Sequence, residues 1–162
     1  SAYYAEKKHT FSMPKQFRAS HILIKVDPSS NAEEREVLLK KAEEVLVRAQ
    51  KGEDFFDLAY YNSDDRTKFV GGDLGMFHMG QTEKSFEDAL LTLKVGDVSD
   101  LVKTRFGFHI IKLTQVNEPR QLSLEEVRLK IKSTLEKERR DNIYSEWLVA
   151  LKQKYKVERF DK

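Results

Sequence analysis

The chain has 162 residues, 40% of them hydrophobic and 35% charged, and its 29 basic against 27 acidic residues leave a net charge of +2. That balance suits one ordinary domain with flanking segments, and it gives no electrostatic footprint for nucleic acid. Lysines and arginines alternate with acids throughout, the pattern of solvated helix faces. The absence of cysteine removes disulfides, thiolate nucleophiles and thiolate metal sites together, and leaves a chain comfortable in an oxidising compartment. No apolar run approaches the length of a membrane span. The sequence opens Ser1-Ala2 with no Met and no signal peptide, which reads as a piece of something longer, so the missing targeting segment says nothing of the parent chain.

Residues 1–16 suggest a charged helical turn or two ending near Pro14. Tyr3, Tyr4 and Phe11 give this flank more apolar surface than a free tail needs, so it reads as a disordered end or as a linker packed on an absent domain. Phe17 to Val26 alternates and is rich in β-branched and aromatic residues, a strand. Asp27-Pro28-Ser29-Ser30 ends it, and Asn31 with Glu34 forms a capping-box pair for the helix that follows. Leu38, Ala42, Val45 and Ala49 recur at helical spacing up to Gly52. A shorter helix, Asp54 to Tyr60, presents Phe55, Leu58 and Ala59, and polar residues from Asn62 to Lys68 form a loop. Leu74 to His78 reads as a short strand, Phe86 to Leu93 as a helix, Val98 to Lys103 as a strand, and Phe108 to Leu113 as the clearest strand in the chain. That order is α+β with an antiparallel sheet. From Leu124 onward the pattern is one long helix, with Leu124, Val127, Ile131 and Leu135 on a stripe. Ile143, Trp147, Leu148 and Leu151 resume an apolar face after a charged stretch. A helix of about 30 residues would run roughly 45 Å, too long for so small a core. Its far half must be covered by a missing domain or a second chain.

Three polar residues call for chemistry. His21 and His109 each lie inside a run of alternating apolar residues, where an imidazole is costly to bury without a partner. Asp65 lies in the loop just before Gly71-Gly72, glycines that permit tightly folded backbone. They would fold the loop back over a sheet so that the three meet in one cleft. As a phosphate loop the glycine stretch fails, because no Lys-Ser/Thr follows it and no long helix begins there. Two histidines and a carboxylate could also ligate iron or zinc, but no pair has the local spacing that rigid metal sites commonly use. Each histidine taken alone fits a satisfied core residue. His78 reads as a rim residue and His9 as a surface one.

Taken together, Arg18-Ala19-Ser20-His21-Ile22-Leu23-Ile24-Lys25, Ser63-Asp64-Asp65, Gly71-Gly72-Asp73-Leu74-Gly75, Phe86-Glu87-Asp88-Ala89 and Phe106-Gly107-Phe108-His109-Ile110-Ile111 resemble the parvulin-type peptidyl-prolyl cis/trans isomerases. The motifs stand in family order over about residues 17–117. The flanks, 1–16 and 118–162, more loosely resemble those of bacterial extracytoplasmic foldases, in which such a domain interrupts a helical chaperone domain. The resemblance implies a four-stranded antiparallel sheet wrapped by helices, with a long C-terminal helix and a cleft for an X-Pro segment. It assigns His21, Asp65 and His109 to catalysis, and Leu74, Phe77, Thr82, Phe86, Thr104 and Phe108 to substrate binding. No cofactor and no metal are implied. Thr82 stands where the family usually has Met, making that wall smaller and more polar, and Phe106 replaces a common Ser. Asp27 to Ala32 lacks the basic cluster of phosphate-directed members, so a phosphoserine-proline preference is not expected. The implied partners are unfolded or proline-containing polypeptides, with no nucleic acid and no membrane span. A homodimer, or packing on a missing N-terminal domain, would use the C-terminal helix, and the implied location is periplasmic or extracytoplasmic. The rival reading is a non-catalytic chaperone module that keeps this fold and only holds unfolded chains.

Overall fold

The computed structural model describes residues 2–155. Ser1 and the last residues of the expected C-terminal segment, 156–162, lie outside them. Contacts divide the described chain into two units, 14–119 and 2–13 with 120–155.

The first unit is built on four antiparallel strands: β2 (Gln16–Lys25), β3 (Asp73–Phe77), β4 (Val102–Thr104) and β5 (Gly107–Asn117), in the order β3-β2-β5-β4. Strand alternation sends successive side chains of β2 and β5 to opposite faces. On one face Ile22, Ile24, Phe108 and Ile110 pack against α2 (Ala32–Gln50) and α3 (Phe55–Asn62). On the other, Phe17, Ala19, Ile111 and Leu113 pack with Phe77 and with Phe86 and Leu90 of α4 (Lys84–Thr92). The capping box expected at α2 is formed, with Asn31 accepting from the Glu34 N–H and Glu34 accepting from the Asn31 N–H.

The expected strand Val98 to Lys103 shrinks to β4. Ser99, buried at 3% exposure, replaces regular ladder pairing. Its N–H donates to Ile111 O at 2.8 Å, and its hydroxyl accepts from the Ile111 N–H at 3.0 Å. β5 runs past the expected Leu113 to Asn117, because the end of β2 continues to pair with it, Gln16 opposite Asn117.

The second unit corrects the reading of the N-terminal flank. A short helix, α1 (Ala2–Glu6), leads to β1 (Ser12–Met13), which pairs antiparallel with β6 (Arg120–Gln121). Phe11 is buried with Val127 and Ile131 of α5 (Leu124–Lys154), and Tyr3, Tyr4 and Leu122 pack against them. The Tyr4 ring stacks on Phe11 at 5.6 Å between centroids, and its hydroxyl donates to Leu122 O. The flank is thus ordered on the chain's own terminal helix, because its aromatics find apolar surface there. Ser123 and Glu126 start α5 with a second capping box. Beyond its first turns the helix leaves apolar residues bare, with Ile143 and Trp147 each 55% exposed. Among the described residues no helix is long and apolar enough to cross a membrane.

Candidate active site

β3 pairs with β2 only from Phe17 to Ser20, so the rest of that edge of β2 needs other partners. The loop after α3 supplies them. Ser63 Oγ accepts from the Leu23 N–H at 3.0 Å, the Asp64 N–H donates to Leu23 O at 2.8 Å, and an Asp64 carboxylate oxygen accepts from the Lys25 N–H at 2.9 Å. One residue further on, Asp65 caps a 3-10 turn, Arg66–Val70, by accepting from the Thr67 N–H at 2.8 Å and the Thr67 hydroxyl at 2.6 Å. Gly71 and Gly72, at φ +66° and +77°, turn the chain back so that Gly72 O accepts from the His21 N–H at 2.9 Å. A Cβ on Gly72 would lie 2.1 Å from His21 O, so only glycine permits this approach. The polar loop and the glycine pair therefore deliver Asp65 to His21.

His109 stands opposite Leu23 in the β2–β5 ladder, and His21 opposite Ile111, so the two imidazoles are diagonal neighbours on one face. Their rings stack at 5.3 Å between centroids, with Nδ1 facing Nδ1 at 3.2 Å. Asp65 Oδ1 lies 3.4 Å from His21 Nε2, too poorly aligned for a good hydrogen bond, which leaves that buried nitrogen without a partner that meets hydrogen-bond geometry. On the far side, His109 Nε2 meets the Thr104 hydroxyl at 2.8 Å, and Thr104 Oγ1 accepts from the Phe106 N–H at 3.1 Å.

Both histidines are neutral at pH 7. Burial lowers the His21 pKa, opposed by Asp65, and burial together with the neighbouring His21 lowers that of His109 to about 4. Burial pushes the Asp65 carboxyl up, but Thr67 and then His21 outweigh it and hold the group below its usual range, ionised. A carboxylate facing His21 Nε2 selects the tautomer with a proton on that nitrogen. His21 Nδ1 is then an acceptor, so His109 carries its proton on Nδ1 and donates to it. His109 Nε2 in turn accepts from the Thr104 hydroxyl. A single direction of donation runs from the Phe106 N–H to His21 Nδ1, and reversing it would aim the His21 Nε2 lone pair at the nearby Asp65 carboxylate.

The cleft beside this chain has a volume of about 560 Å³ and is lined by His21, Leu23, Asp65, Leu74, Thr82, Phe86, Thr104, Phe106 and His109, with the rim 80–83 and Arg105. Phe86 stands edge-on to both imidazoles, at 6.0 and 5.8 Å. Of the residues assigned to substrate contact, Leu74, Thr82, Phe86 and Thr104 line this space. Phe77 does not: it lies behind, edge-on to Phe86 at 6.4 Å and against Phe17, buried at 7% exposure. Phe108 is a further correction. Strand alternation turns it to the opposite face from His109, into the core beneath α2. Among the described residues no three His, Asp or Glu side chains converge as a metal-ligand group.

Sequence reasoning missed two supports of the cleft. Ser63 is one, a small polar residue two positions before Asp65 whose hydroxyl bonds the edge of β2. Glu87 is the other: its Oε1 accepts from the Gly80 N–H at 2.7 Å, and from the Thr82 N–H and hydroxyl at 3.1 Å each. The Thr82 hydroxyl is thereby turned toward Glu87.

Comparison with known proteins identifies the chain's family. The family model of the PPIC-type PPIase domain matches residues 4–117. The foldase protein PrsA of Geobacillus sp. (strain WCH70) is 43% identical over 122 residues, covering 74% of this chain and 40% of that protein. The PrsA foldase of Caldanaerobacter subterraneus subsp. tengcongensis is 36% identical over 159 residues, 98% of this chain and 46% of its own length. The chain thus spans less than half the length of these curated relatives. A SurA-like chaperone structure from Campylobacter jejuni superposes with a TM-score of 0.68 at 28% identity, covering 98% of this chain and 62% of that one. With most of its length matched, the chain belongs to the family of PPIC-type, parvulin-like peptidyl-prolyl cis/trans isomerase domains.

Proposed function

We propose that this chain catalyses rotation about X-Pro bonds in unfolded or folding polypeptides, in the cleft between Asp65, the histidine pair and Phe86. The observation that carries the reading is the placement of one ionised carboxylate in a cleft with two apolar walls, Leu74 and Phe86, beside two neutral imidazoles. The reaction needs no nucleophile. Imide rotation is opposed by partial double-bond character, a barrier of roughly 18–20 kcal/mol, and in X-Pro the isomers are close in energy, so the difficulty is kinetic. A proline ring against Phe86 and Leu74 strips water from the imide, which favours the less polar twisted form. Asp65 beside the carbonyl of the residue before proline disfavours the charge-separated planar form of the imide, whose oxygen carries negative charge. Thr67 holds the carboxylate in place, and the histidines fix the hydrogen-bond network beside it and transfer no proton. Lowering the barrier by about 5 kcal/mol would accelerate rotation ~10³- to ~10⁴-fold.

The test is exchange spectroscopy on an Ala-Pro peptide. Asp65→Asn, which keeps the Thr67 cap, lowers the catalysed rate at least tenfold without loss of fold. An unchanged rate removes Asp65 from the mechanism. No acceleration by the unmutated chain, with retained suppression of aggregation, replaces the enzyme by a holding module.

Foldase and chaperone are words that the relatives' names carry, and periplasmic is used of one of the two Campylobacter jejuni proteins in the structural comparison. Extracytoplasmic protein folding is the setting that fits them. The bare distal face of α5, with Ile143 and Trp147, fits a second copy or a further segment of a longer chain.

A further inference from the structure

The cleft has apolar surface at two ends, and the proline accounts for only one of them. Leu74 and Phe86 stand at the first end, where Leu74 follows Asp73, the partner of Ser20 in β2. At the other are Leu23 and Phe106, the residue before Gly107, which pairs with Lys25. Leu23 lies two residues along β2 from His21 and so shares its face of the sheet. It is nearly covered, at 8% exposure, whereas Phe106 is 48% exposed. A half-bare aromatic ring lining a cleft gains by burial from whatever apolar group comes against it. The backbone beneath the ring is fixed. The Phe106 N–H donates to Thr104 Oγ1 at 3.1 Å, and Phe106 O accepts from the Val26 N–H at 3.0 Å. A Cβ on Gly107, at φ +139°, would lie 2.2 Å from Ile24 O, so glycine lets this turn close onto β2. The Arg105 guanidinium lies over the Phe106 ring, 4.7 Å from its centroid. The Arg105 N–H donates to the Glu83 carboxylate of the 80–83 rim at 3.3 Å. A wall held in this way loses little freedom when a side chain lands on it.

The proline decides what reaches this wall. With its ring on Leu74 and Phe86, the carbonyl before it lies at Asp65. Ser63 and Asp64, directly before Asp65, bond the backbone of Leu23, so the residue before proline is carried toward Leu23 and away from Leu74. The geometry points to a subsite for the side chain of X in X-Pro, formed by Phe106 and Leu23, through which this chain prefers a large apolar X, aromatic above all. The inference rests on the reading that the cleft takes X-Pro with the proline ring on Phe86. Charge sets the same preference against an acidic X. Asp65 and Glu83 both line the cleft, and Arg105, the one cation among its described lining residues, is turned onto Phe106. A carboxylate at X would face two like charges and forfeit the apolar contact. Apolar X-Pro segments are buried once a client has folded, so the subsite suits chains that are still unfolded.

The test uses the 162-residue chain with tetrapeptides read by exchange spectroscopy: Phe, Ala or Glu before the proline, and one peptide with Ala before it and Phe after it. The Phe-Pro peptide is isomerised with a kcat/KM about five- to tenfold above that of Ala-Pro, through a lower KM. Glu-Pro ranks below Phe-Pro, and Phe after the proline brings no gain. Phe106→Ser, which keeps the backbone bonds to Thr104 and Val26, brings the ratio of Phe-Pro to Ala-Pro close to one. Phe106→Leu retains most of the ratio, which separates loss of the apolar wall from loss of the turn. Equal kcat/KM for Phe-Pro and Ala-Pro, a ratio that survives Phe106→Ser, or the same gain from Phe after the proline overturns the subsite. So does a Glu-Pro peptide isomerised faster than Phe-Pro. If the unmutated chain accelerates none of the peptides, the isomerase reading falls and binding decides the subsite by itself. The Phe-Pro peptide then still shifts the Phe106 ring protons and binds about five- to tenfold tighter than Ala-Pro, and failure of either overturns it.

Discussion

Acidification should destabilise this fold through one residue more than any other. His109 is 5% exposed, and burial with the neighbouring His21 lowers its pKa from 6.5 to about 4. Between those values the unfolded chain binds a proton that the folded chain refuses. Stability is therefore fully present above pH 6.5, falls as pH drops toward 4, and levels off below. At about 1.36 kcal/mol per pKa unit, the cost of reaching pH 4 is about 3 kcal/mol from this group. Depression of His21 acts in the same direction, and Asp65, whose pKa is also lowered, adds its own loss further down. The loss is a sizeable part of an ordinary domain's margin of roughly 5–15 kcal/mol. The assay is urea unfolding between pH 7.5 and 4, set beside His109→Gln, which cannot titrate but keeps groups able to bond Thr104 and His21. The natural chain should lose about 3 kcal/mol more than the variant across that range. Parallel curves, or a His109 ring that titrates by NMR near 6.5, would refute the neutral, directed histidine chain.

Gly72→Ala places a Cβ 2.1 Å from His21 O at φ +77°, and should cost at least ~2 kcal/mol in chemical denaturation while pulling Asp65 out of register. Ser63→Ala removes the acceptor of the buried Leu23 N–H, and should cost about 1–3 kcal/mol, read as a lower urea midpoint with unchanged slope. Glu87→Ala frees the Gly80 and Thr82 N–H groups that hold the rim. In an isomerisation assay its KM should rise with kcat nearly unchanged, because the rim confines substrate and Asp65 is untouched.

The antiparallel sheet was legible because β2 and β5 alternate so regularly, and the α2 start because Asn31 and Glu34 form a local motif. His21, Asp65 and His109 were legible as a group only through the family-like order of motifs; nothing in their spacing of tens of residues places them together. A resemblance marks neighbourhood along the chain only: strand alternation turns Phe108 to the face opposite the cleft, while Phe77 is on the cleft's own face but packed behind Phe86. The N-terminal flank was unreadable because Tyr4 and Phe11 find their partners more than a hundred residues away, on Leu122 and Val127.

By itself the sequence determined the element types, the strand periodicity and the need for glycine before β3, because these are local consequences of side-chain shape and hydrogen bonding. Tertiary structure alone decided that Ser63 and Asp64 stand in for a missing strand, that the Thr82 hydroxyl turns to Glu87, and that the two imidazoles meet Nδ1 to Nδ1. Those outcomes depend on distances between distant segments, and in a buried site a shift of an ångström changes which group donates and which accepts.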